Sequence, residues 1–397
     1  MKKKTVTSLK NVFAAGIAAK IKSNGRPDLA YLFVPNAYGS AAVFTRSAFI
    51  APPLLVTKRA MQRGTLRALI VNSGCANAAT GSPGLADARE TARIAARYLG
   101  IKPHEVAVAS TGIIGKRLPM DKVREGLQTL LQQPRQRDGG SAARAIMTTD
   151  ITQKETFITG KVGGKRITVA GFAKGSGMIA PNMATMLGFL VTDAAIDSRT
   201  LSGLLRKAVD NSFNMTSVDT DTSTNDMVLV FSTGEQRHTK KLSRSAQVEF
   251  LSLLTRACQH LAKQIAADGE GATKLIEVRV TGARNVREAR LIAKQIVNSP
   301  LVKTAIHGAD PNWGRVVAAA GKDPSLKVDP QKVDLTFAGA KVMKRGAIIP
   351  HDRDRIRTLM STSEVIVSLD LNLGQGAATA WGCDLTHGYV DINVSYN

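Results

Sequence analysis

Cysteine is scarce in this chain: three residues among 397, Cys75, Cys258 and Cys383, odd in number and far apart. With no C-x-x-C and no Cys/His ligand spacing, the sequence speaks against a disulfide framework and a structural zinc. No metal is expected, and a reduced, cytoplasmic compartment fits. Aromatic residues make up only 5%. No helix-turn-helix, zinc finger or RNA-binding signature occurs, and no basic stripe is interleaved with aromatics. The 54 Lys and Arg against 31 Asp and Glu leave a formal charge of +23. That charge is dispersed, so it reads as a surface that aids solubility or steers anionic ligands, with no nucleic-acid partner. No apolar run is long enough to span a bilayer, and no membrane partner is expected. The basic start followed by VFAAGIAA has the outline of a weak signal peptide. The apolar stretch is short, however, and Lys20 and Lys22 close it without a cleavage site.

Several catalytic signatures are missing too. KGSG is not a P-loop, and no G-x-G-x-x-G follows a strand with a later acidic partner. Asp219, Asp221 and Asp226 imitate a calcium loop, but Thr224 stands where the tight-turn glycine belongs. The six histidines form no H-E-x-x-H and nominate no serine triad; His307, in KTAIHGADPNWGRV, is the candidate worth noting, beside a structural role.

What is present is an alternation of short strands and amphipathic helices. ALIVN (68–72) and VAVA (106–109) read as buried strands, with helices over 84–99 and 120–132. QPRQRDGGSAAR (133–144) reads as a polar loop. RITVAGFA (166–173), TMLGFLV (185–191) and DMVLVFS (226–232) are further strands. Leu201, Leu204, Leu205 and Val209 mark a helix capped by Ser198. Val248, Leu251, Leu254, Cys258, Leu261 and Ile265 mark another that stops at Asp268-Gly269. LIEVRVTG is a strand, followed by a helix over 285–298. The last hundred residues are richer in strands, ending in the pair GAATAWGCDL and GYVDINVSY. The fold class is α/β of the α+β type, layered, with mixed and antiparallel sheets.

KGSGMIAPNMATMLGFLV (174–191) holds a hydroxyl residue behind small residues at the mouth of an apolar run. Thr185 could attack the carbonyl carbon of Ala184 through a five-membered ring, and hydrolysis of the resulting ester would cut the chain there. The new Thr185 would then carry a hydroxyl nucleophile and an α-amine whose ordinary pKa, about 7.7–8.0, suits a general base. The residues alone leave this open beside the plainer reading, a strand start.

The surrounding motifs run in order along nearly the whole chain: FAAGIAAKIKSNGRPDLAYL, IVNSGCANAATG, ASTGIIG, AIMTTD, KGSGMIAPNMATMLGFLVTDA, DTSTND, DGEGATK, SPLVKTAIHGADPNWGRV and WGCDLTHGYVDINVSY. Together they resemble the glutamate N-acetyltransferase/ornithine acetyltransferase family of arginine biosynthesis. The resemblance implies an N-terminal-nucleophile-like fold and a precursor cut between Ala184 and Thr185. It gives an α chain of 1–184 and a β chain of 185–397, the latter with a strand-rich subdomain from about 285 to 397. The two chains are expected to associate as α2β2. The implied reaction is ping-pong transfer of an acetyl group from N-acetylornithine to glutamate through acetyl-Thr185. No cofactor is implied, although some members also take acetyl-CoA as a donor. Thr111 and Gly112 match the family's oxyanion hole, while Thr148, Lys174, Thr185, Glu270 and Asn393 match substrate contacts. Read without the family, STG is an ordinary turn, Lys174 a solvated charge and Glu270 a helix-end carboxylate.

Two positions depart from the family's pattern. Cys75 stands where asparagine is common, and Thr220 where glycine is usual, which implies a somewhat different turn. The family's threonine five residues beyond the asparagine at 393 has no counterpart. DTSTND and DPNWGR carry no assigned catalytic task and suit turns fixed by side-chain-to-backbone bonds. The alternative activity is an N-terminal-nucleophile amidohydrolase or aminopeptidase, in which water replaces glutamate.

Overall fold

Two five-residue runs without a single exposed position, ALIVN and VAVAS, become neighbouring parallel strands. The structure, a computed structural model, describes residues 3–180, 186–236 and 242–394. They form two compact units. The first comprises Met1–Gly175, Pro181–Asn214 and Thr222–Leu261; the second comprises Ser176–Ala180, Met215–Asp221 and Ala262–Asn397. Each unit therefore draws on sequence from both sides of Ala184–Thr185, and that junction itself lies outside the described residues.

In the first unit, β1 (Phe13–Ile17), β2 (Leu29–Phe33), β4 (Ala68–Asn72) and β5 (Val106–Ser110) make a four-stranded sheet in the order β1-β2-β4-β5. A second sheet runs β3-β10-β8-β7-β6, built from β3 (Gly39–Phe44), β6 (Lys154–Val162), β7 (Lys165–Lys174), β8 (Leu187–Ala194) and β10 (Met227–Gln236). The intervening two-residue β9 (Thr216–Ser217) belongs to the other unit. Strand period decides which face does what. Leu69 and Val71 join Phe172, Phe189, Leu229 and Phe231 in a core shared by both sheets. Their neighbours Ala68 and Ile70 face away, toward α2 (Gly81–Leu99) and α3 (Met120–Leu131). On the five-stranded sheet, α5 (Ser198–Asp210) packs on β3, and α6 (Arg244–Ala267) reaches β6, with His260 Nδ1 3.2 Å from Thr156 Oγ1. The result is a helix–sheet–sheet–helix layering with mixed strand directions, as the pattern of residues predicts.

In the second unit, seven strands run in the order β14-β13-β12-β15-β11-β16-β9. They are β11 (Leu275–Ala283), β12 (Asp334–Phe337), β13 (Ala340–Lys344), β14 (Ala347–Ile348), β15 (Glu364–Asp370) and β16 (Gly376–Cys383), with β9 at the edge. Helix α7 (Val286–Val297) covers β11 and β16 with Ile292 and Ile296, both fully buried. Most pairings here are antiparallel, in keeping with the strand-rich ending.

Three local expectations fail. The polar stretch 133–144 is not all loop, because Gly139–Ala145 forms helix α4. Asp138 caps it, accepting from Ser141 N at 3.0 Å. Gly139 is there for close packing, since a Cβ would meet Thr5 Oγ1 at 2.7 Å, so it does not act as a breaker. The cap of α5 is Asp197, which accepts from Thr200 N at 3.0 Å, while Ser198 Oγ instead accepts from Ser40 N. Finally, the segment after β16 is helix α11 (His387–Val394) and not a closing strand. Both edges of β16 are already taken, by β11 and β9, so the segment cannot pair with the strand it follows.

Candidate active site

The end of β5 and the loop following β4 meet in the first unit. Cys75 bridges both Thr111 and Ile113, and Thr111 N donates to Asn72 O at 3.0 Å. Gly112 sits at φ 130°, a backbone that side-chain-bearing residues avoid. A Cβ there would also press on Cys75 N at 2.6 Å, so glycine is required twice over. Asn225 pins this loop by donating to Ala76 O at 2.7 Å and to Ser110 O at 2.9 Å. That is the turn-fixing role expected of DTSTND. Cys75 is buried, and its thiol donates to Lys116 O at 3.1 Å. Burial pushes that thiol's pKa up, so it is a structural filler in the asparagine's place.

Lys174 closes β7 and is 9% exposed. Its ammonium donates to Thr111 Oγ1 at 3.2 Å. Asp150, nearby and buried, accepts from Lys154 Nζ at 2.7 Å, from Gly175 N at 2.7 Å and from Thr148 N at 2.9 Å. Burial raises the Asp150 carboxyl, but the Lys174 and Lys154 ammonium groups outweigh it and hold the pKa at about 2. The neighbouring Lys22 ammonium is pushed down to about 8, chiefly by burial and against the pull of Asp28. Asp226, fully enclosed, is pushed well above the carboxylate range by burial. The arrangement holds a cation against a hydroxyl and fixes the backbone on both sides of it. Thr111, Gly112, Thr148 and Lys174 are thus brought together in one unit. Asp150 and Lys154, which organise them, carried no assignment in the sequence. Their D-x-x-x-K spacing after MTT was the available signal.

The second unit carries the other expected contacts. Glu270 follows α6, is 7% exposed, and takes Ser176 O through its backbone N–H at 3.0 Å. Its Oε2 accepts from Asn393 Nδ2 at 3.0 Å. Gly177 lies so close that any Cβ would run into the Glu270 carboxylate. Asp219 holds the segment leading to the expected cut, accepting from Met178 N at 2.5 Å and Ile179 N at 2.8 Å. Thr220, beside it, stands at φ 70°, the left-handed backbone that explains why glycine suits this turn. His307 has a structural setting: its Nδ1 lies 2.9 Å from Asp384 Oδ2, and Asp384 also accepts from Thr273 and Lys274. Ala184 and Thr185 fall outside the described residues. Among the described residues, no His, Cys, Asp and Glu group stands close enough to hold a metal ion, and no helix is long and apolar enough to cross a membrane.

Comparison with known proteins places these residues in context. The chain matches the model of the ArgJ family over residues 13–397. It is 46% identical to the arginine biosynthesis bifunctional protein ArgJ of Dehalococcoides mccartyi, covering 99% of this chain and 97% of that protein. The protein of the same name from Geobacillus kaustophilus is also 46% identical, over 99% and 96%. Among solved structures, the arginine biosynthesis bifunctional protein argJ of Bacillus halodurans is 45% identical with a TM-score of 0.51. That match covers 53% of this chain and all of the other.

Proposed function

This chain belongs to the ArgJ family and is an acetyltransferase of arginine biosynthesis, and we propose that it moves an acetyl group from N-acetylornithine to glutamate through Thr185. Self-cleavage comes first. Thr185 Oγ attacks the Ala184 carbonyl carbon, the peptide C–N bond breaks to free the Thr185 α-amine and leave an ester, and water cleaves that ester into the Ala184 carboxylate and the Thr185 hydroxyl. That amine then takes the proton from Thr185 Oγ as the oxygen attacks the acetyl carbonyl. The C–N bond to ornithine breaks, and the proton leaves with the ornithine amine. Glutamate's amine attacks acetyl-Thr185 in turn, and Thr185 Oγ recovers its proton.

The observation that carries this reading is the Lys174–Thr111 pair. A hydroxyl that accepts from an ammonium keeps its own proton to donate. Thr111 Oγ1 and the Gly112 N–H then stabilise the oxyanion, each donor worth on the order of 3–4 kcal/mol. The adjacent Lys174 charge acts in the same direction in a site shielded from water. Lys174, with Thr148 in the same unit, would pair with a substrate carboxylate, and in the other unit Glu270, steadied by Asn393, would take an amino group. No resident cofactor is needed, and acetyl-CoA is a further donor. The three free, buried cysteines suit the cytoplasm, and the cleaved chains remain together, as α2β2.

Intact mass under denaturing conditions tests the cut: two fragments dividing at Ala184–Thr185 are expected, and a single chain from Thr185→Ala. Incubation with N-acetylornithine, with and without glutamate, tests the transfer. Acetate release that glutamate leaves unchanged would instead assign an amidohydrolase.

A further inference from the structure

A cavity of about 360 Å³ opens in the first unit between α2 and the helix preceding β4, α1 (Pro52–Gln62). Four arginines line it. Arg59 comes from α1 and Arg63 directly follows that helix, while Arg89 and Arg93 come from α2. Its lining surface is mostly apolar: Ala60 and Ala92 are buried, and Val56, Pro103 and His104 complete it. The volume falls within the range of small-molecule sites, about 300–1,000 Å³.

The charge arrangement is unfavourable as it stands. Arg89 and Arg93 are spaced four residues apart on α2, a like-charge spacing that destabilises a helix, and both pairs line one cavity. Among the described residues none of the four makes an ion pair. Two carboxylates adjoining the lining residues in sequence are engaged elsewhere: Glu90, which also feels Arg93, is bonded to Arg124, and Glu105 is bonded to Arg67 and to Lys102 N. A lone carboxylate ligand would answer only one of the four charges. Two or more phosphate groups would answer them together, by the paired N–H donation that guanidinium groups make to phosphate oxygens.

We propose that this cavity binds a small polyphosphate carrying a flat or apolar group, of the nucleoside-phosphate class. The phosphates lie among the four guanidinium groups, and the base lies over Ala60, Ala92 and Pro103. The cavity stands at the start of β5, whereas Thr111 follows its end. The five residues between span about 17 Å, so the ligand is separate from the acyl group in transfer. Free nucleotides and the nucleotide half of coenzyme A share this chemistry.

Calorimetric titration of the full-length protein at physiological salt tests the site, with ATP, desulfo-coenzyme A, inorganic triphosphate and adenosine as probes. ATP or desulfo-coenzyme A should bind, and whichever binds more tightly identifies the source. Inorganic triphosphate should bind more weakly and adenosine weakest. The Arg59→Gln/Arg93→Gln variant should lose roughly tenfold or more in affinity. Its denaturation midpoint should hold or rise as repulsion is relieved, and its acetyl transfer from N-acetylornithine to glutamate should stay unchanged. An Arg206→Gln control on α5 should bind as the parent does. Unchanged affinity in the double variant, or no binding of either nucleotide at millimolar concentration, would overturn the proposal. Tighter binding of a single-stranded RNA than of ATP, lost in the same variant, would also overturn it and reassign the patch to nucleic acid.

Discussion

Replacing Asp150 with asparagine removes one charge and almost no volume from the first unit, so its effect can be worked from the structure. The carboxylate accepts from Lys154 Nζ, Gly175 N and Thr148 N, and both it and Lys154 have fully buried side chains. A carboxyl held at about 2 in the folded chain, against 3.8 ordinarily, contributes about 2 kcal/mol at neutral pH. Asparagine forfeits that, turns an N–H toward at least one existing donor, and leaves the Lys154 ammonium buried without this counter-ion. Breaking such a pair costs about 3–5 kcal/mol. Because the folded pKa is depressed, the stabilisation is complete above about pH 4 and disappears as pH falls through 2, with roughly half gone near pH 3. Urea denaturation of parent and Asp150→Asn between pH 3 and 7 should therefore give two stability curves that converge toward acid. Adding Lys154→Met to the variant should recover part of the loss at pH 7, since the buried charge goes with it. Parallel curves across that range, or a loss under about 1 kcal/mol at pH 7, would refute this electrostatic account.

Two further substitutions probe backbone geometry. Gly112→Ala places a Cβ against Cys75 N in a residue at φ 130°. It should lower stability by at least about 2 kcal/mol in urea melts and acetyl transfer by on the order of a hundredfold. Full activity would separate Gly112 from the oxyanion hole. Thr220→Gly should raise stability by about 1 kcal/mol, because a β-branched residue at φ 70° is relieved of left-handed strain. A fall in the denaturation midpoint would show that the Thr220 side chain contributes more than its backbone strain costs.

Long or strongly apolar elements were legible in the sequence. ALIVN, VAVA, RITVAGFA and DMVLVFS are short apolar runs that become strands buried on both faces, and the run from Val248 to Ile265 is a helix with a 3.6-residue repeat. Two helices escaped, for different reasons. Helix α11 has no buried residue, so Tyr389, Val390, Ile392 and Val394 imitate a strand pattern, while β16, the expected partner, is already paired on both sides. Helix α4 escaped because Gly139 and Gly140 look like a turn until Thr5, far away in sequence, is seen to need the space.

By itself the sequence determined the order of strands and helices and the motifs that tie the chain to its family, since both depend on local pattern. Only the tertiary structure decided the electrostatics. Lys174 became a partner of Thr111, Asp150 the counter-ion between Lys154 and Lys174, and four arginines from two helices one cavity. The reason is physical: a charge's behaviour depends on its distance from other charges and from water, and those distances exist only once segments remote in the chain are packed together.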